Sequence, residues 1–238
     1  MKLRNTILSI PAASAWLDAR LSHAPDLAGL IVILKPGAVL DSEAREAYIA
    51  GAVQRVGYAT LLVDLLTHHE EARDPDARYN VPQLANRVLA VAAWIAHQAP
   101  LQGLPIGLIA LDTACGAAVR AAWKAPDVFS ALVCRGGRPD LAGATPLSAL
   151  SVPLCMIIGG QDPGRAIVTR AYELITARKA WHEVPDASDL FIEPGTLDSF
   201  CQLASAWFKA ELPPPVLPVA QAADPGPATA DPDGSGRD

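Results

Sequence analysis

The sequence has no apolar run long enough to span a bilayer, although half of its residues are hydrophobic. A membrane span needs about 20 consecutive apolar residues, and the apolar runs here have the length of single strands. Hydrophobic residues make up 51% of the 238 positions, so most of them must be buried in the core of a folded domain. The chain is long enough for one large α/β domain, and we expect no membrane partner.

Basic residues are too few for a nucleic-acid-binding protein. Lys and Arg number 19 against 25 Asp and Glu, which gives a net charge of -6 at pH 7 and a pI near 5.3. A surface that binds nucleic acid normally carries an excess of positive charge. We therefore expect no nucleic-acid partner.

Cysteines are few and widely spaced, and no two of them form a C-x-x-C pair. They are Cys115, Cys134, Cys155 and Cys201. This pattern favours buried free thiols in a reducing compartment over disulfides or a metal site.

The N-terminus resembles the start of a signal peptide, but the apolar run at residues 7–10 is shorter than the ~7–15 residues that an export signal needs. We expect a cytoplasmic protein with no bound metal or cofactor.

Apolar runs alternate with amphipathic segments along the chain. Strands are predicted at residues 7–10, 15–21, 30–34, 58–65, 106–111, 129–134, 153–158 and 180–184, the first two as an antiparallel pair. Helices are predicted at about residues 42–56, 82–98, 165–177 and 197–211 and directly after residue 113, with a polar loop at 67–74. Such alternation is typical of an α/β protein, in which a mostly parallel sheet carries helices on both faces.

Residues 213–238 differ in composition from the rest of the chain. They are rich in Pro, Ala, Gly and Asp and contain no aromatic residue. Such a segment buries too little apolar surface to fold on its own. We predict one α/β domain over residues 1–212 and a disordered Pro/Ala-rich tail over residues 213–238.

One stretch has the pattern of a sharp strand-to-helix turn. An apolar run ends at Leu111, and a run of small residues that can open a helix begins at Ala114. The polar pair Asp112-Thr113 stands between them. This arrangement is that of a nucleophile elbow, whose usual pattern is G-x-S-x-G. The frame is present here, but aspartate occupies the place of the serine.

Polar residues follow three other predicted strands, in an order and spacing that resemble a known fold. Lys35, Asp162 and Asp189 join Asp112 at the carboxyl ends of strands, where parallel sheets hold their chemistry. Together with the segments at 57–67, 135–143, 159–162 and 184–191, these positions resemble the α/β-hydrolase fold. The resemblance covers residues 5–212 and is closest to the small dienelactone-hydrolase-like esterases.

The resemblance implies a Ser nucleophile, an acid and a His base in that chain order. Carried over position by position, these places fall on Asp112, Asp162 and Asp189, of which only the acid matches the family. The loop that often reads His-Gly-x-Gly in the family begins here with Lys35-Pro36. Because proline has no backbone N–H, Pro36 cannot donate to an oxyanion.

Two hypotheses from different classes follow. The first is a pseudo-hydrolase that keeps the fold, has lost the triad and acts in binding or scaffolding. The second is an active hydrolase of small esters, epoxides or halides that uses Asp112 as its nucleophile. The haloalkane dehalogenases and epoxide hydrolases of this fold resemble that arrangement. His68 or His69 would then have to serve as the base.

Side chains beside the predicted strand ends are candidates for ligand binding. We predict this role for Lys35, Thr113 and Arg135. Arg135 and Arg138 either hold an anionic ligand or form structural pairs with Asp140. The partner is left open between a small molecule and a protein, and a homodimer is one option.

Three carboxylates that converge at one sheet edge cannot all ionise cheaply, so the pKa of at least one should rise unless a cation lies nearby. Lys35 is the cation at a neighbouring strand end, and we predict that it pairs with Asp112. A divalent metal is the rival cation, but it would need more ligands.

Cys115 lies at the start of the elbow helix, which predicts either a thiol with a lowered pKa or a buried packing role.

Overall fold

A computed structural model of the protein describes residues 3–13, 15–37 and 43–214. Nearly all of the predicted tail at 213–238 lies outside these ranges, as does residue 38 of the loop after the third strand. The predictions of a disordered tail and of a domain boundary near residue 212 therefore remain predictions.

Eight strands in the described ranges form one mixed sheet. They are β1 (Arg4–Ala12), β2 (Ala15–His23), β3 (Leu30–Lys35), β4 (Ala59–Asp64), β5 (Ile106–Leu111), β6 (Ala131–Arg135), β7 (Leu154–Gly159) and β8 (Lys179–Val184). Their order across the sheet is β1-β2-β4-β3-β5-β6-β7-β8. Strand β2 is antiparallel to both of its neighbours, and every other pairing is parallel. All eight predicted strands are confirmed, with ends that shift by a few residues.

Helices cover both faces of the sheet. They are α1 (Glu43–Arg55), α2 (His68–Arg73), α3 (Val81–Ala96), α4 (Ala114–Lys124), α5 (Ala144–Ser148), α6 (Arg165–Leu174) and α7 (Thr196–Glu211). None of these helices combines the length and the apolar character that a membrane crossing requires. The expected α/β architecture is therefore confirmed.

The central strand β3 shows how the two cores arise. Its side chains point alternately to opposite faces, as in any strand. Leu30, Val32 and Leu34 belong to the core beneath α3, α4 and α6, whereas Ile31 and Ile33 belong to the core beneath α1 and α7. A strand that is buried on both faces needs a continuous apolar sequence, and residues 30–34 supply one.

The polar loop predicted at residues 67–74 is wrong, because this stretch forms α2. The Thr67 hydroxyl accepts a hydrogen bond from the Glu70 N–H at 3.2 Å, and a Glu70 carboxylate oxygen accepts one from the Thr67 N–H at 3.0 Å. These two bonds make a capping box, which satisfies two backbone donors at the helix start. The sequence Thr67-His68-His69-Glu70 carries that signal, but its polarity suggested a loop.

A buried ion pair then holds α2 against α3. The Arg87 side chain is 3% exposed, and its Nη1 donates to the Glu70 carboxylate at 2.8 Å and to the Leu65 carbonyl at 2.6 Å. Nη2 of Arg87 donates to the other carboxylate oxygen of Glu70. These hydrogen bonds are the main reason why the pKa of Glu70 falls from 4.5 to about 2.

We predict that this pair makes the protein less stable in acid. Because the pKa of Glu70 is lower in the folded than in the unfolded state, its contribution is complete above pH 4.5 and is lost as the pH falls through about 2. Arg87→Met should therefore lower the free energy of unfolding at pH 6 and flatten its pH dependence between those two values. Urea denaturation of both proteins across that range measures this difference.

Glu70→Gln is the matched control, since it removes the titrating group and leaves the arginine in place. It should flatten the same part of the pH profile. An unchanged acid profile in both variants would contradict the account of this pair.

Candidate functional site

The elbow predicted around Asp112 is present. Strand β5 ends at Leu111, α4 begins at Ala114, and Asp112 lies between them with a φ of 50°. The left-handed region is unfavourable for a residue with a Cβ and is usually kept only where surrounding structure enforces it. Here the Asp112 carbonyl accepts hydrogen bonds at 3.1 Å from the backbone N–H groups of Cys115 and Arg138. The turn is therefore fixed from both sides.

A glycine in the neighbouring loop presses against this turn. A Cβ on Gly137 would lie 2.5 Å from the Asp112 carbonyl oxygen and 2.9 Å from the Asp112 Cα. Gly137 also has a φ of 74°, which L-residues rarely adopt. Only glycine therefore fits at this position, and the loop after β6 becomes part of the site.

Opposing influences act on the Asp112 carboxyl group. Burial is the largest and raises its pKa, and the nearby charge of Asp189 raises it further. The cations of Arg78 and Arg138 lower it, and Nη1 of Arg78 lies 4.0 Å from Oδ2 of Asp112. The net effect is a pKa above the ordinary value, with burial as the cause. The expected rise of at least one carboxyl pKa is thus found, although desolvation outweighs like charge.

The backbone N–H of Thr113 also acts to lower the pKa of Asp112, with less effect than burial and the neighbouring charges. In hydrolases with this elbow, the N–H of the residue after the nucleophile is one donor of the oxyanion hole. In this protein, Thr113 holds that position, directly after Asp112. The Thr113 side chain is fully buried and does not line the cavity described below, so the predicted ligand contact by that side chain gains no support.

Asp162 follows β7, at the place that the resemblance gives to the triad acid. Its Oδ1 accepts the Gly164 N–H at 2.6 Å, whereas its buried Oδ2 has no hydrogen-bond partner among the described residues. Burial raises the pKa of Asp162, and the charge of Asp189 adds to this effect. The charge of Asp189 therefore acts on both Asp112 and Asp162, and Asp112 and Asp189 line one cavity.

Asp112 and Asp189 line a small cavity of about 70 Å³, whereas Asp162 lies outside its wall. One side of its wall is apolar and consists of Pro36, Leu111 and Leu190, next to Gly137. The rest is charged and consists of Lys35, Arg45, Glu46, Asp112, Arg135 and Asp189. No histidine in the described ranges lines this cavity, and His68 and His69 lie exposed on α2.

The predicted ion pair between Lys35 and Asp112 is wrong. Nζ of Lys35 lies 2.8 Å from Oδ1 of Asp64, although the two groups are not aligned as a hydrogen bond. The reason is the register of the parallel strands β3 and β4, which places Lys35 directly beside Asp64. Lys35 lines the cavity, but its charge is balanced by a carboxylate outside the cavity wall.

The arginine that ends β6 and the one three residues later have different surroundings. Arg138 donates to both carboxylate oxygens of Asp140, at 2.9 and 2.8 Å, which confirms the structural pairing for this residue. Arg135 makes no such pair with Asp140 within the described residues. It is 6% exposed, lines the cavity, and has no hydrogen-bond partner at Nε or Nη1 among those residues. Its guanidinium lies over the Phe191 ring at 5.9 Å from the centroid.

All four cysteines are free and buried, as the spacing predicted. Burial raises the pKa of the Cys115 thiol well above its ordinary value. Its Sγ lies 3.3 Å from the Ala110 carbonyl oxygen, inside the elbow. Desolvation therefore outweighs the helix dipole, and Cys115 has the packing role.

Among the described residues, no cluster of three or more His, Cys, Asp or Glu side chains is arranged to hold a metal ion.

The sheet order, the strained residue on the elbow and the carboxyl groups that follow the strands define an α/β-hydrolase fold. The crystal structure of a dienelactone hydrolase from Anabaena variabilis is similar to this chain, with a TM-score of 0.83 and 34% sequence identity. The match covers 90% of this chain and 100% of that one. The chain therefore belongs to the dienelactone hydrolase family.

More distant structures share the fold alone. An esterase domain from Rhodothermus marinus matches with a TM-score of 0.68 at 14% identity, over 89% of this chain and 99% of that domain.

Two Mycobacterium tuberculosis proteins, provisionally named phosphoribosyl transferases, are 34% identical over 207 residues. That segment is 87% of this chain but 46% of theirs, so this chain spans about half the length of those relatives. No protein-family model matches the chain.

We predict that the pair of Lys35 and Asp64 stabilises the site. The two side chains are 5% and 21% exposed, and loss of one partner from a buried pair typically costs about 3–5 kcal/mol because the other charge stays buried. Lys35→Met should lower the free energy of unfolding by about 3 kcal/mol, the low end of that range, since Asp64 keeps some contact with water. Chemical denaturation at pH 7 measures the change.

Asp64→Asn and the Lys35→Met/Asp64→Asn double variant complete the cycle. The double variant should be more stable than the sum of the two single losses predicts, because neither charge is then left without its partner. Simple addition of the two losses would show that these charges do not interact.

Proposed function

We propose that this member of the dienelactone hydrolase family does not hydrolyse esters by a serine- or cysteine-type mechanism and instead binds a small molecule in the Asp112 cavity. The four buried free thiols are compatible with a reducing compartment, which supports a cytoplasmic location as part of the same proposal.

The observation that carries the proposal is the state of the three triad places. Ester hydrolysis on this frame needs a base that takes the proton of the nucleophile and later returns it to the leaving group. Asp189 stands in that place, and no described histidine lines the cavity. Oδ2 of Asp162, which would orient the base, has no hydrogen-bond partner among the described residues. The acid is therefore present without the imidazole that it would hold.

The oxyanion donors support the same proposal. In the loop after β3, Pro36 has no backbone N–H to offer to an oxyanion. Loss of one donor from an oxyanion hole typically slows an enzyme by about 10²–10³-fold. A cavity without a described histidine and with proline at one expected donor position supports binding rather than hydrolysis.

The alternative is that Asp112 attacks a substrate carbon as a carboxylate, with His68 or His69 activating water for the second step. Arg78 favours this alternative, since a cation 4.0 Å from Oδ2 keeps the carboxyl group closer to its ionised form. Burial acts against it by raising the pKa of Asp112. The exposed position of both histidines on α2 also acts against it.

The name of the mycobacterial relatives gives no second candidate. Those proteins are more than twice as long as the segment that matches. The matching segment of this chain has the α/β-hydrolase fold, and its cavity shows no feature that we associate with transfer of a phosphoribosyl group. We therefore propose no transferase activity for this chain.

We predict that the purified full-length protein hydrolyses neither p-nitrophenyl acetate nor a short haloalkane nor a small epoxide. Asp112→Asn is the matched control, because it removes the nucleophilic carboxylate with almost no change of side-chain shape. Product release by wild type should equal that of this variant and of buffer. Turnover by wild type that disappears in Asp112→Asn would establish the aspartate-nucleophile alternative.

We also predict that Asp112→Ser combined with Asp189→His restores weak ester hydrolysis. The introduced imidazole would have Oδ2 of Asp162 as its partner, since this oxygen has none among the described residues. Because Pro36 still lacks a donor, the rate should stay about 10²–10³-fold below that of an intact hydrolase. Measured p-nitrophenyl acetate hydrolysis should exceed that of either single variant. A folded double variant without activity would show that more than the triad has been lost.

A further inference from the structure

The hairpin of β1 and β2 has a face that the helices leave uncovered. On one side, α3 packs on β1, and the side chains of Ile10 and Leu17 belong to the core beneath it. On the other side, α1 packs on β3 and β4 and α7 packs on β6, β7 and β8, but neither extends over the hairpin within the described ranges. The exposed residues of this hairpin face are Asn5, Ile7, Ser9 and Pro11 on β1 and Trp16, Asp18 and Arg20 on β2.

Apolar side chains are prominent on the hairpin face. Ile7 is 83% exposed and Trp16 is 66% exposed, which are the highest values of any large hydrophobic residue in the described part of the chain. The strand register places Pro11 beside Trp16 and extends this apolar surface. Single exposed hydrophobic residues are common on proteins, whereas several on one face mark a surface that another molecule covers.

Two opposite charges lie on the same face. Asp18 and Arg20 are separated by one residue of β2, so their side chains point to the same side of the sheet. Both are exposed, and neither is in an ion pair or a side-chain hydrogen bond with any residue that the structure describes. Their cross-strand neighbours on β1 are the uncharged Ser9 and Ile7. One acid and one base without partners make this face complementary to a copy of itself.

This complementarity fits a two-fold axis. Closed dimers of identical chains use the same patch on both subunits, so each contact occurs twice. When the axis lies in the interface beside Ala19 and runs across the strands, Asp18 of each copy faces Arg20 of the other. Complementary charges of this kind fix the register of an interface, and the apolar side chains around them exclude water.

Pairing through the edge of β1 is less favourable than pairing through the face. β1 is the first strand of the sheet and has a free edge. Pro11 lies within this strand, and proline cannot donate the backbone hydrogen bond that a further strand would need at that position. The hairpin face therefore remains as the surface for a partner.

We propose that the hairpin face binds the same face of a second copy of this chain. In this symmetric dimer, two ion pairs join Asp18 and Arg20 across the interface. Ile7 and Trp16 pack beside these pairs. The inference is independent of the proposed function, because the residues of the hairpin face do not line the Asp112 cavity.

The size of the face sets the strength of this dimer. Each of the two strands has nine residues, so the face measures roughly 30 by 10 Å, or about 300 Å² before the relief of the side chains is counted. A standard interface buries about 800 Å² per partner. We therefore expect a weak, reversible dimer rather than a permanent one.

Sedimentation velocity of the full-length wild-type protein at pH 7 and low ionic strength, where exposed charges are least screened, tests the proposal. The mean mass should rise from monomer towards dimer between about 1 and 100 µM, the range expected for a small interface. Asp18→Arg and Arg20→Asp each place like charges opposite each other at two points. Each variant alone should self-associate at least about tenfold more weakly than wild type.

A mixture of the two variants separates this interface from others. An Asp18→Arg chain carries two cations on the face and an Arg20→Asp chain carries two carboxylates, so the two chains should form a mixed dimer at concentrations where neither associates alone. The Asp18→Arg/Arg20→Asp double variant exchanges both charges and should associate about as tightly as wild type. Asp127→Arg makes the same charge change at an exposed position outside the hairpin and should behave like wild type. Circular dichroism checks that every variant keeps the fold.

Three results would overturn the inference. These are a wild-type protein that stays monomeric over the whole concentration range, a dimer that both single variants form as readily as wild type, and folded single variants that neither pair with each other nor recover association in the double variant. In the first case a different protein, rather than a second copy, would be needed to cover this face. None of these results bears on hydrolysis, so each leaves the proposed function untouched.

Discussion

The close approach of Gly137 to the backbone of Asp112 is the constraint on which the site depends. The elbow holds a residue with a side chain at a φ of 50°, a conformation that costs of order 1–3 kcal/mol. It persists because its carbonyl accepts two backbone hydrogen bonds and because the loop after β6 fits against it without a Cβ in the way. This packing fixes where the Asp112 side chain points, independently of what that side chain can do.

The backbone frame of a hydrolase can therefore be kept when its catalytic groups are lost. The frame needs apolar strands, the elbow and the glycine loop, all of which this chain keeps. The chemistry needs a nucleophile, a base and oxyanion donors. Aspartate stands at the first two places, and Oδ2 of Asp162 has no hydrogen-bond partner among the described residues. What remains is a cavity with balanced charges and one buried arginine, features that fit binding better than proton transfer.

Much of this fold could be predicted from the sequence because buried strands in α/β proteins are short continuous apolar runs. The elbow could be predicted because a polar pair between a strand and a run of small residues permits few other structures. Helix α2 was missed because its residues are polar, and the capping box of Thr67 with Glu70 was the signal that could have revealed it. The Asp64 partner of Lys35 was missed because it depends on which strands are neighbours. Lys35 directly follows one predicted strand and Asp64 lies next to the end of the other, so a topology with β3 beside β4 would have brought them together.

The state of Arg135 could not be predicted in the same way. The sequence places Arg135 at a strand end. Whether Asp140, Glu46 or Asp189 accepts hydrogen bonds from its guanidinium depends on side-chain positions that only the folded chain defines. Arg138, three residues later, does pair with Asp140 at 2.8–2.9 Å. Two arginines three residues apart thus have different surroundings, because Arg138 pairs with a carboxylate and Arg135 lies over the Phe191 ring.

The central claim is that Asp112 keeps the place of a nucleophile without acting as one. Incubation of wild-type protein with a short haloalkane in ¹⁸O-labelled water, followed by mass spectrometry of the peptide that contains Asp112, tests it most directly. An aspartate that forms an ester and is released by water takes up an oxygen atom from that water. We predict no ¹⁸O in the Asp112 carboxyl group, and its incorporation there, absent from a denatured control, would contradict the account.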